Sequence, residues 1–328
     1  MYKKKLWLVA VFLFALVTMG VGLNKEAQCQ PKYPTRAIDI IIVFSPGGGT
    51  DTVIRLAAPY LTKKWGVPIN VINKPGGNTL PANMDLYSAP PDGYTLLADC
   101  QPSSSMLGVV VKDLPFNIMD RTFMAMYTSA PMAFIVPSSS PYKTLQDVVT
   151  EAKRDPENFT WASLGGVSGQ DFVTRQLFKA IGVDVLKTKP VMAKGGSQAT
   201  ALTAGGHVKL GSTNVISARA SIRANLIRLI GVTRERNVDF PDVPTTAELG
   251  FPTVDCIYWT GISGPPKTPP HIVNIWDKAI QELLADEKFV AQLVGVGFKP
   301  HYLNAQGMIA YVVKEMAEVN ELYDVKKK

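Results

Sequence analysis

The chain has 328 residues, 46% of them hydrophobic and 19% charged, which suits one large or two medium globular domains and excludes disorder as the general state. Its formal net charge is +7, and setting aside Lys3, Lys4 and Lys5 leaves +4. Apart from Lys326 to Lys328, the remaining basic residues are dispersed and accompany no nucleic-acid motif, so no nucleic-acid partner is expected.

Lys3-Lys4-Lys5, an apolar run from Leu6 to Val17, and Gly20 and Gly22 before Asn24-Lys25-Glu26 follow the order of an export signal. Residues 1–30 are therefore expected to be a signal peptide, and the mature protein to be exported. Cleavage or retention of this segment as an anchor both stay open, and Glu26-Ala27-Gln28 before Cys29 is a poor lipidation context.

From Tyr33 onward, strand-like and helix-like segments alternate, the pattern of an α/β protein with largely parallel sheets. Ile38 to Phe44 reads as a strand that runs through Ser45-Pro46-Gly47-Gly48-Gly49-Thr50-Asp51 into a helix, Thr52 to Lys64, ending near Gly66. Three successive glycines cost backbone entropy, and the helix N-terminus behind them offers unpaired N–H groups and partial positive charge. An anion is the ligand such a loop suits. Ile69 to Asn73 is a short strand before the turn KPGGN at 74–78; Leu80 to Ser88 is a helix and Tyr94 to Ala98 a strand opening onto the loop at 99–105.

Beyond the strand AFIVP, which starts at Ala133, a helix spans Leu145 to Lys153. A strand from Phe159 to Ala162 then enters the small-residue loop Ser163-Leu164-Gly165-Gly166-Val167-Ser168-Gly169, followed by a helix to Ile181. The motif repeats at VMAKGGSQATALTAGG, where Gly195-Gly196-Ser197 opens a helix. Three such loops suggest helix N-termini converging on one anionic group across a two-lobed cleft. Strands are expected at 208–216, 226–233 and 256–266, and core helices at Ile272 to Ala285 and Gln306 to Tyr323.

Catalytic constellations are missing. His207, His271 and His301 lack the i, i+4 spacing of a helical zinc pair, and the three cysteines, Cys29, Cys100 and Cys256, have no metal spacing. Cys100 and Cys256 read either as separate buried thiols or as a disulfide. PGGGTDT lacks the lysine of a P-loop, and GGGTDTV lacks the dinucleotide fingerprint. Gly166-Val167-Ser168-Gly169-Gln170 misses the last glycine of a nucleophile elbow. Donors without a nucleophile, base, metal or cofactor describe a binding protein rather than an enzyme.

YPTRAIDIIIVFSPGGGTDTVIRLAAPYL, VINKPGGN, APPDGYTLL, KGGSQA, AGGHVKLGSTN and PDVPTTAELGFP follow one another in the order and spacing of the tripartite tricarboxylate transporter receptors, the TctC or Bug family of periplasmic solute-binding proteins, which the mature chain resembles throughout. The resemblance implies a Venus flytrap of two α/β lobes, residues 33–131 plus 259–328 and residues 132–258, joined by crossing strands APMAFIVP and DCIYWTG. It implies a monomer that closes on a small organic carboxylate and passes it to a membrane permease of small and large subunits. Position by position, it assigns ligand contacts to Phe44, Ser45, Gly48, Thr50 and Asp51 on the first loop, with Thr50 and Asp51 ordering it, and to Ser103 and Ser104 on the second. From the other lobe it assigns Ser163, Gly165, Ser168, Gly169, Ser197, Thr213 and Asn214.

The likeness has a departure: where the family commonly reads VDLMFDN, this chain has Val208-Lys209-Leu210-Gly211-Ser212-Thr213-Asn214. Loss of that carboxylate at Thr213 favours a ligand without an amine. Two other functions stay open: a sensor that presents its carboxylate to a signalling protein, and an exported hydrolase using Ser168.

Overall fold

Residues 32–323 are described by the structure, a computed structural model. The expected signal segment with Cys29, and Lys326 to Lys328, lie outside them. No helix among the described residues is long and apolar enough to cross a membrane.

Five aliphatic-rich residues, Ile38–Ile42, make strand β1, whose burial on both faces is what parallel pairing between helical layers demands. It pairs in parallel with β2 (Ile69–Asn73) on one side and β3 (Thr95–Asp99) on the other. Helix α1 (Gly49–Trp65) leaves β1 through the first glycine loop and ends at Gly66 in the left-handed conformation that glycine tolerates. Helix α2 (Leu80–Ser88) and the short α3 (Ser105–Val110) complete this part of the chain.

Strand β4 (Thr122–Pro137) runs for 16 residues, far beyond the AFIVP segment expected from sequence, and its residues beyond Thr122 are all buried. Helix α4 (Leu145–Arg154) opens with a reciprocal cap between Thr144 and Asp147. Strands β5 (Thr160–Ser163) and β6 (Lys189–Met192) form a small parallel sheet flanking α5 (Gly169–Ile181). Phe159, Trp161 and Phe178 pack edge to face beneath it.

Helix α6 (Gly196–Ala204) leads to β7 (Gly211–Asn214), which stops early because Asn214 caps a further helix, α7 (Val215–Arg223). Strand β8 (Ile227–Val232), strand β9 (Ile257–Gly264), helices α8 (Pro270–Ala285) and α9 (Glu287–Gly295), strand β10 (Lys299–Asn304) and helix α10 (Ala305–Tyr323) follow.

The expectation of largely parallel sheets needs correction. Although β1 to β3 pair in parallel, β9 runs antiparallel to both β3 and β4, β10 runs antiparallel to β4, and so do β7 and β8. The reason is β4 itself. Its stretch from Thr122 to Pro131 pairs with β9, whereas Met132 to Pro137 turns to β7 and β8. A strand shared by two layers imposes its direction on both, and returning chains meet it antiparallel. Thr233 clamps the changeover, exchanging hydrogen bonds with Met132 at 2.8 Å and donating to the Cys256 carbonyl at 2.5 Å.

Two buried polar clusters brace this frame. Arg121 and Asp99 are both fully buried, 3.1 Å apart. The guanidinium also donates to the Asn83 side chain at 2.7 Å and the Ser103 carbonyl at 2.9 Å. Desolvation opposes the charge, but Asp99 beside it holds Arg121 above its usual range. Near the changeover, Glu315 of α10 accepts from Ser105 at 2.5 Å, Gln101 at 2.9 Å and the Trp259 indole at 3.1 Å. Burial drives its carboxyl up to about 7, against the lowering pull of those three donors. Cys100 and Cys256 are free, buried thiols.

Removing Arg121 strands a buried carboxylate, so Arg121→Ala should cost about 3–5 kcal/mol in urea unfolding. Glu315 has the opposite pH signature from a salt-bridged acid. With its folded value above the ordinary 4.5, the folded state holds the extra proton between the two values, and stability falls as pH rises through that window. His301, held below its usual value by burial, slopes the other way. Melting curves of wild type and Glu315→Gln from pH 5 to pH 7.5 separate the two: the difference should widen toward neutral pH in favour of the variant, by up to about 3 kcal/mol.

Candidate ligand cleft

The first glycine loop is ordered by a carboxylate in the helix that follows it. Asp51, in the first turn of α1, accepts the Gly47 N–H at 3.0 Å, the Asn73 amide at 2.9 Å and Arg55 Nε at 3.0 Å. Burial raises this carboxyl, and the bonds from Arg55, Gly47 and Asn73 outweigh it and hold it below the ordinary value. Thr50 is fixed from the other side, its hydroxyl 2.5 Å from that of Tyr258 on β9.

Asp171 plays the matching part in the loop at 163–169. Its two oxygens accept the hydroxyls of Ser163 and Ser168, each at 2.5 Å, and the Leu164 N–H at 2.8 Å. Ser168 caps α5 in return by accepting the Asp171 N–H at 3.0 Å. Its recorded side-chain partners are these groups, with no imidazole to take its proton as a serine nucleophile requires.

A cavity of about 200 Å³ lies between the first glycine loop and the loop that opens α6. Helices α1 and α6 enter it through Gly48 and Gly195, neither of which carries a capping side chain, although the Thr50 N–H in the first turn of α1 already donates to the Tyr258 hydroxyl at 3.3 Å. Side chains cap the other two helices here, α5 by Ser168 and α7 by Asn214. An uncapped helix start leaves backbone N–H groups pointing outward with the positive end of its dipole. Gln170 and Ser217 add buried oxygens that have no partner of their own, Oε1 and Oγ. Lys194 is exposed and is the one charged residue in the lining, and no ion pair involving it occurs among the described residues.

The sequence-assigned residues divide by position. Phe44, Ser45, Gly48, Ser197 and Asn214 line the cavity. Thr50, Asp51 and Thr213 stand behind it: Thr213 is buried, its hydroxyl 2.8 Å from where a side chain on Gly196 would begin. Ser103 and Ser104 are fully buried away from it, both hydroxyls donating to Asp99 at 2.7 Å, which consumes them in the Arg121 cluster. Ser163 and Ser168 are likewise spent on Asp171, and Gly169 packs against Gln101 and Cys256. Gly165 faces Asn78 across the cleft.

Lys194, Gln170, Gln198, Ser217 and Tyr258 also line the cavity and were not assigned from sequence. Lys194 had a signal in the sequence, since it directly precedes the third glycine loop. Tyr258 had none, because it arrives from a strand more than two hundred residues after the loop it supports.

The sequence profile of the tripartite tricarboxylate transporter family receptor matches residues 53–326. The chain is 30% identical over 323 residues to the UPF0065 protein in the gbd 5' region of Cupriavidus necator, covering 94% of each. Among solved structures, one titled as a periplasmic transporter superposes with a TM-score of 0.82 at 27% identity, over 90% of this chain and 98% of that one. R. palustris Rpa4515, solved with adipate, superposes at 0.84 with 24% identity, over 89% and 98%. The fold is accordingly that of a two-lobed periplasmic binding protein.

The packing around the two caps makes a stability contrast. A methyl on Gly49 would lie 2.9 Å from Asn214 Nδ2, 3.0 Å from Phe298 and 3.1 Å from Tyr258, whereas one on Gly48 meets only the Ser45 carbonyl, at 3.6 Å. Gly49→Ala should lose about 1–2 kcal/mol by overpacking, and Gly48→Ala less than about 0.5 kcal/mol, measured by thermal or urea unfolding.

Proposed function

The chain belongs to the receptors of the tripartite tricarboxylate transporter family, and on that footing we propose that it binds a small organic carboxylate in the cleft and delivers it to a membrane permease. One observation carries the reading. Two helices, α1 and α6, start at glycines without capping side chains and open onto one cavity in whose lining Lys194 is the only charged residue, with the Thr50 N–H of α1 held by Tyr258 and the remaining first-turn donors left to a ligand. Backbone donors of this kind favour an anion, and bridging waters extend them to ligands of several shapes. Rpa4515, with its bound adipate, supports an organic acid as the anion.

The lobes divide where β4 changes partners, near Pro131 and Met132, and at the start of β9 on the return. Residues 33–131 with 259–328 form one lobe and residues 132–258 the other, and the changeover is the hinge that lets them close. The receptor works as a monomer in the periplasm, after export by its N-terminal segment. Turnover plays no part in this reading, and the bonding of Ser163 and Ser168 to Asp171 agrees with that.

Thermal unfolding against aliphatic monoacids and diacids, hydroxy acids and aromatic acids tests the reading. At a concentration a hundred times its dissociation constant, a true ligand stabilises by about 2.7 kcal/mol, a shift of several degrees. Lys194→Ala should weaken that ligand by roughly tenfold or more, as expected for a charge-assisted contact, and make binding less sensitive to salt. Gly48→Val should keep the melting temperature and lose binding, because its branch intrudes on the uncapped donors. If no acid in the panel moves the wild-type curve, the carboxylate reading fails.

A further inference from the structure

Beyond Phe44 and Lys194 the cleft continues into a second cavity of about 400 Å³, and those two residues line both. The wall there is mixed: Val43, Pro75, Leu164, Val167, Met192 and Ala193 supply carbon, Gly76 to Thr79 supply backbone, an amide and a hydroxyl, and Lys194 is the only charged residue in the lining. Met192 is 60% exposed although it is a large apolar side chain. Its methyl reaches within 3.4 Å of the position a side chain on Gly165 would occupy, with Asn78 Oδ1 3.0 Å from the same point. Loops from the two halves of the cleft thus meet at the far end of this cavity.

The opposite wall is strained. Gly76 and Gly77 have φ of 100° and 54°, and Asn78 and Thr79 follow with φ of 51° and 67°. A β-branched residue at positive φ is unfavourable by itself and persists only when its surroundings hold it. Thr79 is held: its hydroxyl donates to the Pro102 carbonyl at 3.2 Å, and its own carbonyl accepts from Asn83 at 2.9 Å. Asn83 is in turn gripped by Arg121. The buried cluster that removed Ser103 and Ser104 from the ligand site therefore fixes the wall of the second cavity.

We infer that the ligand is a monocarboxylate with an extended apolar chain or ring, its carboxylate at the Gly48 and Gly195 helix starts beside Lys194 and its tail lying past Phe44 between Leu164, Val167 and Met192. This assignment rests on the carboxylate reading above and narrows it. One cation serves the two cavities, matching one carboxylate, and a second carboxylate among Leu164, Val167 and Met192 would displace apolar contacts without finding a cation to pair with. Met192 is suited to the tail because a flexible, polarisable thioether adapts to different apolar shapes.

Calorimetric titration of the full exported chain with butanoate, hexanoate, octanoate and octanedioate tests the inference. Affinity should rise about fourfold for each added methylene, in line with the transfer free energy of a buried CH₂, with an increasingly negative heat-capacity change. Octanedioate should bind at least tenfold more weakly than octanoate. Met192→Gln, which removes apolar contact without adding charge beside Lys194, should weaken octanoate several-fold more than butanoate. A flat series, octanedioate binding as tightly as octanoate, or equal effects of Met192→Gln on octanoate and butanoate would each overturn the tail assignment. The carboxylate reading survives all three of those results. It falls, and the tail assignment with it, only when no monoacid, diacid, hydroxy acid or aromatic acid binds.

Discussion

The cleft depends on one repeated device, a carboxylate in the first turn of a helix folded back onto the loop that precedes it. Asp51 gathers Gly47 and Asn73; Asp171 gathers Ser163, Leu164 and Ser168. A glycine-rich loop without such an anchor would sample many conformations and give up binding energy to order itself. With the anchor, the loop is set before any ligand arrives. Each carboxylate also satisfies the protein's own donors, leaving the cavity to the glycine-started helices α1 and α6 and to Lys194.

Behind the loops stands a frame of buried polar groups whose burial is tolerated only because nearly every member is paired. Arg121 ties Asp99, Asn83 and Ser103 together, and Glu315 ties Gln101, Ser105 and Trp259. The two clusters share the segment from Gln101 to Ser105, one from each side. That sharing places the wall of the second cavity, the end of β3 and the C-terminal helix in a fixed relation to the strand that changes sheets. Much of the polarity near the cleft is therefore structural, and counting serines in the sequence overstates the number of ligand donors.

The two cavities differ in how their walls are made. Glycine backbone, amide and hydroxyl side chains and the rings of Phe44 and Tyr258 line the first. The second is bounded by aliphatic side chains and by the strained turn from Gly76 to Thr79. Such an arrangement separates recognition of a charged head from recognition of what is attached to it, the division most small-molecule sites use to obtain orientation and selectivity together.

What was legible from sequence alone was local. Alternation of apolar runs with glycine loops announced strands, helices and the anion-suited starts of α1, α5 and α6, because those properties depend on neighbours a few residues apart. The ordering roles of Thr50 and Asp51 and the assignment of Phe44, Ser45, Gly48, Ser197 and Asn214 came from the family resemblance, because residues so far apart in the chain meet only in the fold. The rest depended on distance in the chain. That β4 runs on for 16 residues and turns its neighbours antiparallel, and that Tyr258 reaches back to Thr50, cannot be read from any window of sequence. Nor can the fate of Ser103, Ser104, Ser163 and Ser168. A hydroxyl in a small-residue loop looks the same whether it faces a ligand or an aspartate, and only the packed structure places Asp99 and Asp171 where they claim these four.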